Sequence, residues 1–244
     1  MRHGPIAGDA FGQMLLECLV HDEPVTEVVE RDDGRVDIGD ARRYFAPASD
    51  WSPSERAILQ GASGRVIDIG AGAGRHSLEL QRSGHSVVAL DLSPGAVQTM
   101  HSRGVEETFE GTLFQFARTQ DAAFDTALLL GNNLGLLGGP AQAIRWLAAL
   151  DRLLAAGGRV LGSGSDPYAT TDTDHLRYHA RNRLRGRMGG QNRIRSRFRT
   201  LASPWFDYLF ASLDELTALL VDSTWHIAEV IDAAPGYWVE LRRR

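Results

Sequence analysis

Residues 66–74 read Val66-Ile67-Asp68-Ile69-Gly70-Ala71-Gly72-Ala73-Gly74. A short β-branched run stops at three alternating glycines, and Arg75–Ser83 follows with helical spacing. Glycine there lets a backbone approach a ligand closely and leaves N–H groups of the helix start free. The next apolar run, Val87–Leu90, closes on Asp91, 19 residues after Gly72. A carboxylate at that strand end can accept hydrogen bonds from ribose hydroxyls. Loop and acid together predict a nucleoside site more firmly than either alone. A dinucleotide fingerprint would place glycine at position 75, where this chain has Arg75. Asp68, inside the first strand, repels a pyrophosphate but suits a ligand ammonium, directly or through water. S-adenosylmethionine carries such an ammonium and no phosphate.

Outward from this stretch, strands and helices alternate. Pro94–Arg103 has a helical pattern ended by Gly104, and Thr108–Phe116 holds a third strand. Phe124–Leu130 is a continuously apolar fourth strand. Pro140–Leu154 is a helix followed by Gly157-Gly158, and Arg159–Gly162 is a fifth strand. Apolar strands alternating with helices of this length indicate a parallel sheet covered on both faces. Ser212-Leu213-Asp214-Glu215 is a capping box that opens a helix. Ile227–Ile231 and Tyr237–Leu241 read as a closing antiparallel pair around Pro235-Gly236.

Before the glycine loop, Ala10–Leu19 reads as a short helix. Val25–Val29 and Arg35–Ile38 flank an Asp-Gly turn and read as a hairpin. Tyr44, Phe45 and Trp51 follow in an aromatic loop, with Ser54 as an expected N-cap. That loop reads either as a lid over a site, with Tyr44 against substrate, or as packing for the N-terminal segment. The expected division is an N-terminal segment, 1–60, and a main domain, 61–244, with an arginine-rich insertion at about 167–204.

The 244 residues suffice for a full hydrophobic core, and no apolar run approaches the ~20 residues of a membrane span. One cysteine, Cys18, excludes an internal disulfide and makes the cytoplasm the default expectation. All 26 basic residues are arginine, and the net charge is −5. Nine arginines fall between Arg177 and Arg199, a stretch without Asp or Glu. One basic patch on an acidic body points to a local anion site and argues against a general nucleic-acid binder.

The sequence resembles the class I S-adenosylmethionine-dependent methyltransferases. The likeness rests on Asp-x-Gly-x-Gly-x-Gly at Asp68–Gly74, on Asp91, on Phe124-Asp125 before the fourth strand and on Leu153–Gly158 before the fifth. It covers 65–161 well and the last 30 residues loosely. It implies a Rossmann-like α/β fold, with a seven-stranded sheet of order 3-2-1-4-5-7-6 and strand 7 antiparallel. It implies S-adenosyl-L-methionine as cofactor and S-adenosyl-L-homocysteine as product. Gly70, Ala71, Gly72 and Gly74 would then pass the methionine end, and Asp91 with Leu92 would hold the ribose side. Many members have an acid after the third strand that receives the adenine amino group; here Gly111 or Thr112 stands at that place, and Thr112 and Leu113 are the cofactor candidates there.

On the substrate side, Gly131-Asn132-Asn133 ends the fourth strand. Gly131 and Asn132 are assigned to the cofactor and Asn133 to catalysis; the competing reading has both amides capping the loop backbone. Asp166, at the end of the fifth strand, faces the expected pocket. His175 and His179 stand four apart, but no third ligand is fixed by spacing, so no metal is expected. His179 is instead a candidate general base. Arg193, Arg195, Arg197 and Arg199 alternate and share a strand face. The first three are candidate grips on an anionic substrate; the competing reading is ion pairing with the acidic body. The expected activity is methylation of a small molecule, an anionic one such as a phosphorylated or prenyl diphosphate acceptor suiting the arginines, with O-methylation favoured and N- or C-methylation open. An RNA methyltransferase and a non-catalytic cofactor-binding protein are the alternatives. The acceptor and the oligomeric state are not legible.

Overall fold

The computed structural model describes residues 6–21, 23–121, 123–232 and 235–244. Residues 1–5 of the 1–60 segment lie outside the described residues. The elements run α1 (Ala10–Val20), β1 (Thr26–Arg31), β2 (Val36–Asp40), α2 (Pro53–Gln60), β3 (Val66–Ile69), α3 (Arg75–Arg82), β4 (Val87–Asp91) and α4 (Pro94–Arg103). They continue with β5 (Glu107–Glu110), α5 (Leu113–Phe116), β6 (Phe124–Leu129), α6 (Pro140–Leu153), β7 (Leu154–Ser165) and α7 (Thr173–Leu184). The chain closes with β8 (Gln191–Phe198), β9 (Leu201–Ala202), β10 (Phe206–Leu209), α8 (Leu213–Leu220), β11 (Trp225–Ile231) and β12 (Gly236–Arg243). Among the described residues no helix is long and apolar enough to cross a membrane.

Seven strands form the central sheet in the order β11-β12-β7-β6-β3-β4-β5. β3 to β7 are parallel, and β12 lies antiparallel between β7 and β11. Successive side chains point to opposite faces. Ile67, Ile69, Val88, Leu90 and Leu129 enter one apolar layer with α5, α6 and α8. Val66, Val87 and Leu128 enter the other with Ile58 and Leu59 of α2 and Leu80 of α3. Coverage on both faces is why β3 and β4 are buried at every position.

Local details differ from the sequence reading for identifiable reasons. Ser52, not Ser54, caps α2, because Pro53 takes the first helical position and Ser52 accepts from the Glu55 N–H at 3.0 Å. The third strand stops at Glu110; Thr112 and Gln115 form a capping box that turns Leu113–Phe116 into a helix. The fifth strand is longer than expected. It starts directly from α6, and Gly157-Gly158 lie inside it, near a register shift against β6.

A second, antiparallel sheet has the order β10-β8-β1-β2, with β9 also on β8. Its strands come from two distant segments. The N-terminal hairpin pairs with the insertion, Val28 opposite Arg197 and Glu30 opposite Arg195. The insertion's last strand reaches Leu209, past the expected limit at 204. Two opposed faces result. Glu27, Val29 and Arg31 share one face with Asn192, Ile194 and Tyr208; Glu30, Arg195 and Arg197 lie on the other.

Helix α1 is fastened to α4 by one carboxylate. Asp9 caps α1 through the Gly12 N–H at 3.0 Å and accepts from Ser93 Oγ at 2.6 Å and the Gly95 N–H at 2.8 Å. The two backbones nearly touch: a Cβ on Gly95 would stand 2.6 Å from the Gly12 carbonyl carbon. Gly95→Ala should therefore force α1 off α4 and cost about 1–3 kcal/mol of stability. Urea titration of the variant checks this, and an unchanged midpoint would refute the contact.

Candidate functional site

The glycine loop Gly70–Gly74 joins β3 to α3, with Gly70, Gly72 and Gly74 all at positive φ. Its donors are largely spent inside the protein. The N–H groups of Gly70 and Ala71 both donate to the Leu90 carbonyl, at 2.8 and 3.1 Å. The Gly72 N–H donates to Asp91 Oδ2 at 2.9 Å, and Asp91 Oδ1 accepts from the Ser93 N–H at 2.9 Å. The glycines thus provide close approach, and the expectation of free N–H groups does not extend to these three. Asp68 is buried, and its Oδ2 accepts from Ser77 Oγ at 2.6 Å, so its direct partner is α3. Burial pushes its carboxyl above the ordinary value.

Asn133 is where the sequence reading needs correction. Its side-chain amide donates to the carbonyls of Ile69, at 3.0 Å, and Gly70, at 2.9 Å. A Cβ on Gly70 would lie 2.7 Å from that amide nitrogen. The amide therefore clamps the glycine loop to the end of β6. That is a positioning role, not the catalytic one expected.

Asn132 sits at φ +70, a strained left-handed conformation for a residue with a side chain, directly after Gly131 at φ +71. Four contacts hold it. Its N–H donates to Ser163 Oγ at 2.8 Å, and its side-chain oxygen accepts from Ser165 Oγ at 3.0 Å. The Tyr208 hydroxyl donates to its carbonyl at 2.7 Å, and its own amide reaches back to that hydroxyl at 3.4 Å. Burial pushes the Tyr208 phenol up to about 12, so it remains a donor at neutral pH. Next to this turn, Gly131 is exposed, with no atom within 4 Å of where its Cβ would be.

Tyr44 covers the other side of the loop. Its ring and that of Phe11 pack edge-on at 5.2 Å, and both meet the Gly72 position at under 4 Å. The Tyr44 hydroxyl donates to Glu27 Oε1 at 2.6 Å. Arg43 pairs with Glu27 Oε2, and Glu27 is buried. Burial, then the Glu27 charge, drives the Tyr44 phenol far above its ordinary value. Sequence reading missed Glu27, Arg43, Tyr208 and Ser163. A charged residue on the same strand face as Val29 and Arg31 was the available signal.

The remaining candidates are spread over several elements. Leu92 is 67% exposed, an apolar surface beside Asp91. Thr112 is engaged in its helix cap, and Leu113 is buried in the core. Asp166 accepts from the Tyr168 N–H at 2.8 Å, so it turns the chain after β7. His179 is buried on α7, 5.6 Å from the Tyr168 ring, and burial with nearby His175, Arg183 and Arg31 pulls it down to about 4. Too weak a base for efficient proton transfer near neutral pH, it does not fit the general-base role. The arginine face is mostly ion-paired. Glu30 takes both Arg195 and Arg197 at 2.8 Å, Glu17 takes Arg199, and Arg195 also stacks over Trp205. The anion grip expected of Arg195 and Arg197 is thus filled from within. Arg193 is exposed on the outer face, away from the glycine loop. Among the described residues no group of three or more His, Cys, Asp or Glu is placed to hold a metal.

These residues suit a nucleoside with an uncharged or cationic tail. A buried carboxylate ends β4, an exposed leucine flanks it, a loop of only glycine and alanine stands beside it, and open space lies at Gly131. Arg75, at the place of a dinucleotide loop's last glycine, pairs with Glu55 at 2.5 Å.

A family model described as a methyltransferase domain matches residues 66–158. A methyltransferase from Bacteroides fragilis, solved with S-adenosyl-L-homocysteine, is 26% identical, with a TM-score of 0.83 over 99% of this chain and 98% of that one. A methyltransferase from Methanosarcina mazei shares the fold at 19% identity and a TM-score of 0.59, over 80% and 98%. The CcbJ methyltransferase of Streptomyces caelestis does so at 13% and 0.62, over 98% and 99%. With the loop, the acid and the sheet in place, this chain is a class I S-adenosylmethionine-dependent methyltransferase.

The buried acid makes a measurable prediction. Burial raises Asp91 from the ordinary 3.8 to about 6, against the lowering effect of the Ser93 and Gly72 N–H groups. A carboxyl raised on folding stabilises the folded state when protonated. That contribution is complete below pH ~4 and is lost as pH rises through about 6, at most ~3 kcal/mol. Asp91→Asn should flatten the loss. Urea titrations of the cofactor-free protein between pH 4 and 7 measure it; parallel curves for both proteins would contradict the assignment.

Proposed function

We propose that this enzyme methylates a small molecule held between the two sheets, with oxygen as the favoured acceptor atom. The cofactor is S-adenosyl-L-methionine and the product S-adenosyl-L-homocysteine, the molecule bound in the Bacteroides fragilis relative. Asp91 would accept from the ribose hydroxyls, with Leu92 against the base. Gly70, Ala71, Gly72 and Gly74 would pass the methionine end, and Gly131 and Asn132 would border it. When bound, the cofactor supplies a methyl group made electrophilic by its sulfonium.

The observation that carries the reading is Tyr44, bonded to buried Glu27 and packed over Gly72. O-methylation releases the acceptor's hydroxyl proton. Tyr44 Oη takes that proton while its own passes to Glu27 Oε1, leaving Glu27 neutral. Arg43 occupies Oε2 and so directs Tyr44 to Oε1. Tyr44 and Phe11 also keep water from the loop. The pairing of Arg195 and Arg197 with Glu30, and of Arg199 with Glu17, supports a small-molecule acceptor over RNA.

Two measurements test this. Asp91→Ala should weaken S-adenosyl-L-homocysteine binding by about 1–3 kcal/mol in calorimetry. Unchanged affinity removes Asp91 from the site. Glu27→Gln should lower kcat by ~100-fold or more, the scale of a lost proton acceptor, with that affinity intact. Full turnover in the glutamine variant would end the relay.

A further inference from the structure

We propose that His179 and Asn192 form the wall that recognises the methyl acceptor, and that this wall takes an uncharged group bearing hydroxyl or amide functions. The inference rests on the reading that the acceptor lies between the sheets.

Both residues carry a buried polar atom without a partner. His179 is 4% exposed, and its Nδ1 makes no hydrogen bond; neither does the buried Oδ1 of Asn192. Burying such an atom unpaired costs on the order of 1–3 kcal/mol, and folded proteins keep few. The other unpartnered atoms among the described residues lie on α6, midway along β7 and at the start of β11. Those places are remote from the strand ends where this fold does chemistry.

His179 and Asn192 belong to that end. Asn192 stands opposite Tyr208 across β8 and β10, and opposed residues share a sheet face. Tyr208 in turn donates to Asn132 at the end of β6. His179 meets the ring of Tyr168, on the loop leaving β7. The segments that carry them are tied together at two points. On one side, the Arg193 N–H donates to Tyr178 Oη at 3.2 Å; on the other, the Asn182 amide donates to the Gln191 carbonyl at 2.9 Å. His179 lies between Tyr178 and Asn182, and Asn192 between Gln191 and Arg193, so both ties bracket the pair.

Their chemistry selects the ligand. Asn192 Oδ1 needs a donor. His179, buried beside cations, is neutral near pH 7 and offers one hydrogen bond without charge. The nearest buried cation is already spent: Arg31 gives two bonds to Asp33, at 2.8 and 2.9 Å, and one to His175 Nδ1 at 3.0 Å. Arg183 is exposed over the Tyr168 ring. A carboxylate or phosphate would meet a lone-pair oxygen and an uncharged ring.

The test replaces each orphan with an apolar residue, Asn192→Leu and His179→Leu, and compares thermal unfolding with and without S-adenosyl-L-homocysteine. If the atoms are kept unpaired for a ligand, each variant should melt higher than the parent by roughly 2–4 °C. With S-adenosyl-L-homocysteine present, a panel of small hydroxy-amides is then added beside carboxylate and phosphate analogues of the same size. Parent protein should shift with members of the neutral set, and either variant should lose at least tenfold in that affinity. Variants that melt lower, a shift confined to the anionic analogues, or no shift with any neutral member would overturn the proposal. The methyltransferase reading is tested separately in the same experiment: it fails if S-adenosyl-L-homocysteine alone shifts neither parent nor variants.

Discussion

The turn at the end of β6 is the constraint on which the site depends. Asn132 is held at φ +70 by Ser163, Ser165 and Tyr208, from three positions on two different sheets. A left-handed residue with a side chain persists only where its surroundings over-determine it. Once that turn is set, Asn133 is aimed at the carbonyls of Ile69 and Gly70, and the glycine loop acquires its shape. The loop then fixes Asp91 through the Gly72 N–H. The glycine loop and the accessory sheet therefore share one mechanical origin, with Tyr208 tying that sheet to the turn.

Much of the core was legible because its signals are local. Alternating strands and helices, the glycine loop, Asp91 and the Ser212 capping box each follow from residues within a few positions of one another. The accessory sheet was not legible as a sheet. Its hairpin and its arginine strand were each recognisable, but nothing local says that Val28 faces Arg197. The same gap hid the site's second half. Glu27 and Tyr208 become informative only when their strands are seen to share a face above the glycine loop.

The arginine strand shows how strict alternation can mislead about chemistry. Four guanidiniums on one face repel one another unless anions intervene. An external anion and an internal one satisfy that requirement equally. Here the intervening charges are Glu30 and Glu17, contributed by elements 165 to 182 residues away in sequence. The basic strand is thereby a fastening between two segments of the chain. The asparagines followed the same logic: Asn133 took the backbone-capping role that competes with any functional role for such residues.

Because the wall above the site is woven from the N-terminal hairpin and the late insertion, its assembly has a place in time. The hairpin leaves the ribosome early, and its partner strand emerges about 165 residues later. At ~5–20 residues per second that interval is on the order of ten seconds or more. Until then β1 has an open edge exposed to any other extended chain. Its neighbour on that side, β8, follows only after β3 to β7 have been made, a pairing of high contact order. The accessory sheet is therefore closed later than the glycine loop and Asp91 are made, and the face it lays over that loop is added to a half-sheet already present.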